Sequence, residues 1–287
     1  VHIGLPGLQV DDQYCEKGQA GILCHLLCCS RYSLYSIVGM LKNLYYFVSD
    51  VHLGLRASDA SQVEKRFMGF LNSLPENTRA LYLLGDIFDF WYEYKYVIPR
   101  GHTRVLGKLA ELSDRGIDIY FFKGNHDMWA YGYFEQELGI KVLEQPYVVD
   151  IEGQTFCLGH GDGLGYTPLG FRIIRWIFNN RVIQALFSSL HPRIAFSLGY
   201  NWSKHSRLAS GGKKSQYIFR GEDEPIYKYA SSFREKVDHF IFGHFHTPVR
   251  MELPSGGDMI VLGDWVNGCE YALYDGEQLT FSRYEVV

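Results

Sequence analysis

The segment Ile119-Tyr-Phe-Phe-Lys-Gly-Asn-His-Asp127 decides the fold, because an apolar strand-like run ends directly in three adjacent polar side chains. Residues 119–122 have the apolar, aromatic composition of a buried strand. Asn125, His126 and Asp127 would be wasteful in a purely structural turn, and the glycine before them suits a tight turn that lets side chains converge. The segment therefore predicts a strand that delivers functional groups at its end.

Four other short blocks place carboxylate or imidazole groups where a strand-like run gives way to a loop. They are Asp50-Val-His52, Gly85-Asp86, Gly159-His-Gly-Asp162 and Gly243-His-Phe-His246. Loops at the carboxyl ends of strands are where open α/β sheets build their sites. One block alone is weak evidence, since an Asp-x-His at a strand end is usually a turn or a hydrogen-bonded polar pair. In this order and spacing, the five blocks predict one shared site.

The residue types in the blocks predict a pair of metal ions. Asp, His and Asn form an oxygen and nitrogen ligand set that suits Mn²⁺, Fe²⁺ or Zn²⁺ rather than Ca²⁺. One ion would not need seven such groups from five loops. Two ions roughly 3.5–4 Å apart, bridged by one carboxylate, would need them. Such a pair lowers the pKa of a bound water and stabilises in-line attack on phosphorus, so we predict hydrolysis of a phosphoester.

The remaining pattern predicts a layered α/β domain. The chain has 287 residues, 47% of them hydrophobic and 16% aromatic, which is enough for one large core. From residue 44 onward, short apolar runs alternate with helical periods. The predicted strands are 44–49, 80–85, 117–123, 147–151, 154–158, 238–242, 258–262 and 270–274, and the predicted helices are 59–74, 102–115 and 129–138. Closely spaced strand signals after residue 238 predict an antiparallel second sheet.

Residues 163–221 differ from the rest in charge and are predicted to form an inserted helical cap over the site. This segment has no Asp or Glu but nine Lys or Arg residues, interleaved with large apolar side chains. Two helices are predicted, 169–190 and 192–206, divided at His191-Pro192. A lid that only packs on the core, with a solvated basic face, explains the same composition.

Residues 1–39 are predicted to be an N-terminal extension, non-native or without a part in the chemistry, before a domain at 40–287. They show no clear periodicity, and their apolar stretch is too short and interrupted to span a membrane. A short amphipathic membrane-contact segment is the alternative. Four of the six cysteines lie in the first 29 residues, and their spacing predicts neither a disulfide framework nor a paired CxxC zinc site. A reducing compartment fits best.

The order of the five blocks resembles the calcineurin-like metallophosphoesterase superfamily over residues 44–275. The resemblance implies an αββα fold, in which two sheets lie between helices and a dimetal site lies at one sheet edge. The implied ligands of the first ion are Asp50, His52, Asp86 and His246. The implied ligands of the second ion are Asp86, Asn125, His160 and His244, with Asp86 bridging. His126 would stabilise the transition-state phosphate or protonate the leaving group, and Asp127 would orient its imidazole.

Two blocks, Asp50-Val-His-Leu-Gly54 and Gly85-Asp-Ile-Phe-Asp-Phe-Trp91, resemble the UDP-2,3-diacylglucosamine pyrophosphatases of lipid A synthesis. Those enzymes use Mn²⁺, carry a helical cap between the Gly-His and Gly-His-x-His blocks, and release UMP and an acylated sugar 1-phosphate. The best-known branch has Arg where this chain has His126, which is the residue of the wider superfamily. The implied substrate contacts are Asn125, Ser203, Lys204 and Arg207.

The resemblance implies an acylated nucleotide-sugar substrate and a cytoplasmic enzyme bound peripherally to an anionic inner-membrane surface. The cap composition suits this task, since Lys and Arg bind pyrophosphate and apolar side chains accommodate acyl chains. The alternatives are a metallophosphoesterase acting on a soluble nucleotide or a phosphoprotein, and an inactive scaffold that binds a partner. A nucleic-acid partner is not expected, because the net charge is −4, the pI is near 6.3, and no basic stripe is evident. The sequence does not indicate an oligomeric state.

Overall fold

The computed structural model of the protein describes residues 43–55, 60–209 and 218–285, and for residues 60 and 204–209 it describes the backbone alone. The predictions for residues 1–39, and those for the side chains of Lys204 and Arg207, lie outside this part of the chain.

The strands of the described residues form two sheets. The first sheet contains β1 (Leu44–Val48), β2 (Thr78–Leu83), β3 (Asp118–Phe122), β4 (Lys141–Leu143), β10 (Glu270–Tyr274) and β11 (Leu279–Arg283). The second contains β5 (Tyr147–Ile151), β6 (Gln154–Leu158), β7 (His239–Phe242), β8 (Val249–Glu252) and β9 (Asp258–Val261). Their orders are β11-β10-β1-β2-β3-β4 and β5-β6-β7-β9-β8. Strands β1 to β4 are parallel, and so are β6, β7 and β9.

The helices connect these strands and cover the sheets. They are α1 (Ala60–Ser73), α2 (Thr103–Asp114), α3 (Tyr133–Leu138), α4 (Leu169–Asn179), α5 (Arg181–Ser188), α6 (Pro192–Ala209) and α7 (Pro225–Ser231), with a 3₁₀ turn at Gly221–Asp223. No helix in the described ranges is both long enough and apolar enough to cross a bilayer.

Alternation of side chains along the strands creates the layers. In β1, Tyr46 and Val48 face helices α1 and α2, whereas Tyr45 and Phe47 face the second sheet. Phe47 is fully buried and stacks on Tyr82 at 5.0 Å and on Phe156 of the second sheet at 5.6 Å, measured between ring centroids. Helix α7 covers the outer face of the second sheet. The predicted αββα sandwich is therefore confirmed.

An aromatic cluster holds the three helices α4 to α6 against the loops of the first sheet. Phe90, Tyr92 and Trp129 are buried there, and four cap side chains pack on them, namely Phe178, Phe187, Phe196 and Tyr200. The Trp129 indole donates a 3.0 Å hydrogen bond to the Phe178 carbonyl, and the Tyr92 hydroxyl donates one of 3.1 Å to the Gln184 carbonyl. These contacts fix the helical segment beside the strand ends.

Several predicted boundaries are wrong. The predicted helix 169–190 breaks at Asn180, whose side chain accepts hydrogen bonds from the backbone of Val182 and Ile183 and so starts a new helix. Helix α3 begins at Tyr133 rather than at residue 129, because the Glu93 carboxylate accepts the N–H groups of residues 131–133.

The predicted antiparallel second sheet is also wrong in part. Strands β6, β7 and β9 pair in parallel, and only the outer strands β5 and β8 are antiparallel to their neighbours. Strands β10 and β11 join the first sheet instead. Strands β4, β8 and β11 were not predicted, because they are short edge strands in which polar or charged residues interrupt the apolar ones.

The contact between helix α6 and Phe90 gives a test of how the cap is held. A Cβ atom at Gly199 would overlap the Phe90 ring, whereas one at Gly170 in α4 would meet open space. We expect Gly199→Ala to destabilise the protein by about 1–3 kcal/mol, as overpacking does. Gly170→Ala should be neutral or slightly stabilising, as expected for an exposed helical position. Thermal melts and limited proteolysis of residues 180–209 would measure this, and equal behaviour of the two variants would contradict the docking described.

Candidate metal centre

The carboxyl ends of the parallel strands from both sheets meet at one edge of the sandwich. Strands β1, β2 and β3 lead into Asp50, Asp86 and Asn125, while β6 and β7 lead into His160 and His244. Hydrogen bonds join the two sheets at this edge. The His160 Nδ1–H donates to the Leu84 carbonyl at 3.0 Å, and the His244 backbone N–H donates to Asp50 Oδ2 at 2.8 Å. The five sequence blocks therefore form one site.

The backbone at the site is held in a conformation that ordinary residues seldom adopt. Five predicted ligands have positive φ angles between 52° and 71°, namely Asp50, His52, Asp86, His244 and His246. Only two other non-glycine residues in the described part of the chain share this feature. Left-handed backbone at several non-glycine positions is typical of functional sites, where the fold overrides local preference.

Two glycines permit the close approach of neighbouring loops. A Cβ atom at Gly124 would overlap Asp86 Oδ1, and one at Gly243 would overlap the Ser49 hydroxyl. Neither glycine has a positive φ, so the requirement is for space rather than for conformational freedom. The glycines of the Gly-Asn-His-Asp and Gly-His-x-His blocks therefore let the polar groups behind them converge.

Asp50, His52 and His246 form the first cluster of potential ligands, with ligand atoms all within 4.8 Å of one another. Asp50 Oδ1 lies 3.8 Å from His52 Nε2 and 3.5 Å from His246 Nε2. Both Asp50 Oδ1 and His52 Nε2 are buried and accept or donate no hydrogen bond. Buried polar atoms without partners are costly unless something else satisfies them. Their arrangement fits a cation between them.

The second cluster surrounds Asp86. Its Oδ2 lies 3.4 Å from His160 Nε2 and 4.0 Å from His52 Nε2, so one carboxylate faces both sets of ligands. Asn125 Oδ1 lies 3.3 Å from His160 Nε2, and the His244 ring lies 5.1 Å from the His160 ring. This central position is the one that a bridging carboxylate requires. The donor atoms present therefore fit two divalent metal ions.

Electrostatics of the cluster agree with cation binding. Burial raises the pKa of Asp86, but the His160 and His126 imidazoles outweigh it and hold the pKa well below its usual range. Burial also raises the pKa of Asp50, but neighbouring imidazoles, His246 above all, outweigh it and lower the pKa to about 2. Although burial opposes its charge, His160 has a pKa well above the usual value because of Asp86. Metal binding should therefore release a proton from this cluster.

His126 lies beside Asp86 and forms a third group of candidate ligands with His52 and Asp89, whose ligand atoms lie within 4.8 Å of one another. Its Nε2 is 3.9 Å from Asp86 Oδ2, and its Nδ1–H donates to the Asp89 carbonyl at 2.9 Å. Burial lowers its pKa to about 4, partly offset by Asp86, so the ring is neutral at neutral pH. Since the carbonyl can only accept, the proton lies on Nδ1 and the Nε2 lone pair faces the site.

The prediction that Asp127 orients the His126 ring is wrong. Both Asp127 oxygens accept backbone N–H groups, from Gly124 at 2.8 Å and from residues 86–88 at 2.8–3.2 Å. Asp127 is fully buried and joins the loop after β2 to the loop after β3. It therefore positions the backbone that carries Asp86, and the Asp89 carbonyl fixes the imidazole instead.

A carboxylate that the sequence analysis left without a role supports one of the histidines. Asp264 Oδ2 lies 3.3 Å from His246 Nδ1, within hydrogen-bond distance, whereas Asp89 Oδ1 lies 3.6 Å from His52 Nδ1, which has no hydrogen-bond partner. Carboxylates of this kind fix the tautomer of a metal-binding imidazole and raise its basicity. Asp264 follows β9 in a Gly-Asp pair, the same local pattern as Gly85-Asp86, and this repetition could have identified it.

The cap reaches the site through an arginine. Arg175 of α4 donates to the Asp162 carbonyl at 2.6 Å and lies 3.1 Å from the Asp162 carboxylate, in the loop of the Gly-His-Gly-Asp block. Of the predicted cap contacts, Ser203 is buried at 1% exposure. Its role in substrate binding stays a prediction.

The bridging position of Asp86 gives a test by metal content. Asp86→Asn keeps an oxygen for the 2.8 Å bond from the His126 N–H but removes the negative charge. We expect the variant to hold at most one divalent ion per chain where the wild type holds two, as measured by elemental analysis after reconstitution. Asp258→Asn is the control, because Asp258 is paired with His239 and Arg250 away from the site. Two tightly held ions in Asp86→Asn would rule out the bridge.

The contact between Asp264 and His246 gives a second test. Asp264→Asn should weaken binding of one ion by roughly 10–100-fold, as loss of such supporting carboxylates does, while leaving the other ion bound. Competition with a fluorescent metal indicator would resolve the two affinities. Unchanged affinity for both ions would show that Asp264 does not support a ligand.

Comparisons with known proteins agree with this geometry. Residues 45–248 match the model of the family described as calcineurin-like phosphoesterase. A UDP-2,3-diacylglucosamine hydrolase from Porphyromonas gingivalis is 37% identical over 259 residues, covering 85% of this chain and 99% of that protein. A protein of the same name from Stenotrophomonas maltophilia is 31% identical over 226 residues, covering 76% of this chain and 90% of that one.

Among solved structures, a dimetal phosphatase from Danio rerio is 14% identical, with a TM-score of 0.39, covering 85% of this chain and 99% of that chain. The family match spans all five blocks whose side chains the structure brings together. The chain therefore belongs to the calcineurin-like phosphoesterase family of metal-dependent hydrolases.

Proposed function

We propose that this protein hydrolyses the pyrophosphate bond of UDP-2,3-diacylglucosamine, giving UMP and 2,3-diacylglucosamine 1-phosphate. The observation that carries the proposal is a dimetal-type centre lying beside an inserted helical segment that is both basic and apolar. A pyrophosphate needs cations, and acyl chains need apolar surface. Curated relatives that this chain matches along nearly their whole length bear the name of this activity.

The proposed division of the chain is a catalytic domain at 40–287 with a cap at 163–221 inside it. In the described part of the cap, helices α4 to α6 follow the loop of His160 and precede the strand that leads to His244. The cap therefore lies between two ligand-bearing loops in the sequence. Residues 1–39 are proposed to have no part in the chemistry.

Two divalent ions, proposed to be Mn²⁺, would be held by the two ligand clusters. The first set is Asp50, His52, Asp86 and His246, and the second is Asp86, Asn125, His160 and His244. When bound, such ions supply an activated water and charge stabilisation at phosphorus. Asn125 would also contact the substrate phosphate, since its carboxamide has an N–H₂ group beside the Oδ1 that faces His160.

His126 is the proposed catalytic residue that is not a ligand. The Asp89 carbonyl accepts the hydrogen bond from Nδ1–H of the His126 ring. The other ring nitrogen, Nε2, is therefore the one that would interact with the reacting phosphoryl group. The ring is neutral before substrate arrives because burial lowers its pKa to about 4. A phosphate anion next to the ring would raise that pKa, since an adjacent negative charge favours the imidazolium form. The charged ring can then stabilise phosphoryl oxygen or donate a proton to the leaving group.

The cap is proposed to bind the rest of the substrate. Its basic side chains would contact phosphate, with Ser203, Lys204 and Arg207 proposed as contacts to the nucleotide or the phosphates. The aromatic cluster covers only part of the apolar surface of the cap, since α4 and α5 contain no fully buried residue. Apolar surface left over on helices that already dock is available for acyl chains.

The same apolar surface supports peripheral membrane binding, at the inner face of the cytoplasmic membrane. Leu169, Ile173 and Trp176 recur at helical spacing on α4 and are exposed by 68%, 50% and 64%. Val182 and Leu186 repeat the pattern on α5. Arginines accompany these stripes, and basic residues beside apolar ones suit an anionic lipid surface.

The function is tested by Mn²⁺-dependent hydrolysis of UDP-2,3-diacylglucosamine beside a soluble diester, bis-p-nitrophenyl phosphate. We expect a preference for the lipid of several orders of magnitude, with UMP as a product. Comparable turnover of the soluble diester would keep the metal chemistry but reject the substrate, and would favour a phosphoesterase acting on soluble nucleotides or phosphoproteins.

The role of His126 is tested by His126→Ala. We expect kcat to fall by roughly 10²–10⁴, as loss of a general acid or charge stabiliser does, while both ions remain bound. Steady-state kinetics and elemental analysis on the same preparation would separate the two effects. Loss of an ion from the variant would make His126 a ligand instead.

Membrane binding is tested by Trp176→Ser. Removing one large apolar side chain from the lipid contact should weaken partitioning into anionic vesicles by roughly 10–100-fold, which corresponds to about 1.5–3 kcal/mol of lost burial. Sedimentation with phosphatidylglycerol vesicles would measure it. Val148→Ser is the control, since Val148 is 37% exposed on β5 of the second sheet. Equal partitioning of the wild type and Trp176→Ser would contradict the proposed surface.

A further inference from the structure

A cleft of about 650 Å³ lies between the loop that follows the predicted ligand His52 and the cap helix α6. One wall is formed by Gly54, which follows the ligand His52 by two residues, and by the turn of residues 99–102. The opposite wall is the cap helix α6, through Arg193, Phe196, Ser197 and Tyr200. The volume is within the range of about 300–1,000 Å³ found for small-molecule sites. A group bound at the metals could extend into this cleft.

The lining of the cleft is chemically mixed. Phe196 and Tyr200 supply aromatic rings, Ser61 and Ser197 supply hydroxyl groups, and the exposed side chains of Arg100 and Arg193 supply positive charge. An acyl chain would leave these polar groups without partners, and that is unfavourable. A planar heterocycle joined to a sugar phosphate could use the rings, the hydroxyls and the guanidinium groups together.

His102 adds an independent observation that points to a ligand. It lines the cleft, is 4% exposed, and its Nε2 is buried beside Gly54 without a hydrogen-bond partner. Burial lowers the pKa of this imidazole to about 4, so at neutral pH it is uncharged and can donate or accept one hydrogen bond. A buried nitrogen without a partner is costly, and a carbonyl or N–H group of a ligand would satisfy it.

We propose that this cleft binds the uracil nucleoside of the substrate, with His102, Ser197 and Arg193 as its recognition residues. The inference rests on the function proposed above, and it locates the nucleoside end of that substrate in the cleft. Uracil presents an N–H group between two carbonyls, which matches a neutral imidazole and hydroxyl groups. Phe196 and Tyr200 offer faces for the ring to stack on, and the guanidinium of Arg193 can pair with the nucleotide phosphate.

This placement also orders the substrate along the site. The phosphorus nearer the uridine lies between the nucleoside and the bond that breaks, and Gly54 in the cleft wall follows the predicted ligand His52 by two residues. The acylated sugar then extends in another direction, toward the exposed apolar surfaces of α4 and α5. The nucleoside would therefore contact helix α6, and the acylated sugar would contact helices α4 and α5.

Ser197→Trp, which fills the cleft, is the decisive variant. The probes are UMP, ribose 5-phosphate and inorganic phosphate as inhibitors of bis-p-nitrophenyl phosphate hydrolysis. We expect the wild type to bind UMP at least ten times more tightly than ribose 5-phosphate, and Ser197→Trp to lose that preference. Inhibition by inorganic phosphate, which would bind at the metal ions and not in the cleft, should not change. Ala185→Trp, at an exposed position of α5 outside the cleft, should keep the preference.

Arg193→Ala serves as a second variant, because its side chain is exposed and its removal leaves the core intact. It should weaken the binding of UMP and of ribose 5-phosphate at least fivefold, because Arg193 would pair with the phosphate that both carry. If UMP binds Ser197→Trp as it binds the wild type, the cleft is not the nucleoside site, even where the lipid substrate is hydrolysed. A raised KM for the lipid with unchanged UMP binding would place the acylated sugar in the cleft and also overturn the inference.

Failure of the proposed function has a different signature. The wild type would then leave UDP-2,3-diacylglucosamine intact. If UMP selectivity were still present and still lost in Ser197→Trp, the nucleoside site would stand and another uridine nucleotide would be the substrate.

Discussion

The burial of one carboxylate among imidazoles is the constraint on which the rest of the structure depends. Asp86 accepts the His126 backbone N–H and faces His160 and His52, while four backbone N–H groups bound to Asp127 hold the surrounding loops. A buried charge is stable only with such partners. The parallel strands, the close-approach glycines and the second sheet all serve to bring these partners to one point. The same convergence creates the ligand sets for two cations.

The ligand loops could be predicted from sequence because each is a local pattern. Every loop combines an apolar strand with a glycine and a polar group at the strand end, and strand order then brings them together. The helix break at Asn180 was not predicted, although Asn is a favoured helix N-cap. Short edge strands such as β8 were missed because Arg250 and Glu252 are charged residues on an exposed face.

Roles that depend on three-dimensional partners could not be read in this way. Asp127 lies next to His126 in sequence, yet its carboxylate turns toward backbone N–H groups and Asp89 supplies the ring's acceptor through its carbonyl. His102 lies in a loop with no recognisable motif, and its significance comes from being buried beside Gly54 and facing a helix nearly a hundred residues later. Sequence proximity predicted a ligand set but not the contacts that support it.

The left-handed backbone at five ligands has a consequence for the size of the protein. Each such non-glycine residue costs about 1 kcal/mol or more relative to ordinary conformations, so the site alone removes on the order of 5 kcal/mol. That is comparable to the whole net stability of many domains, about 5–15 kcal/mol. Three apolar interfaces offset this strain, two between helices and a sheet and one between the two sheets. The large core is therefore part of the catalytic apparatus, because a smaller sandwich could not keep its ligand loops in the conformation that the ions require.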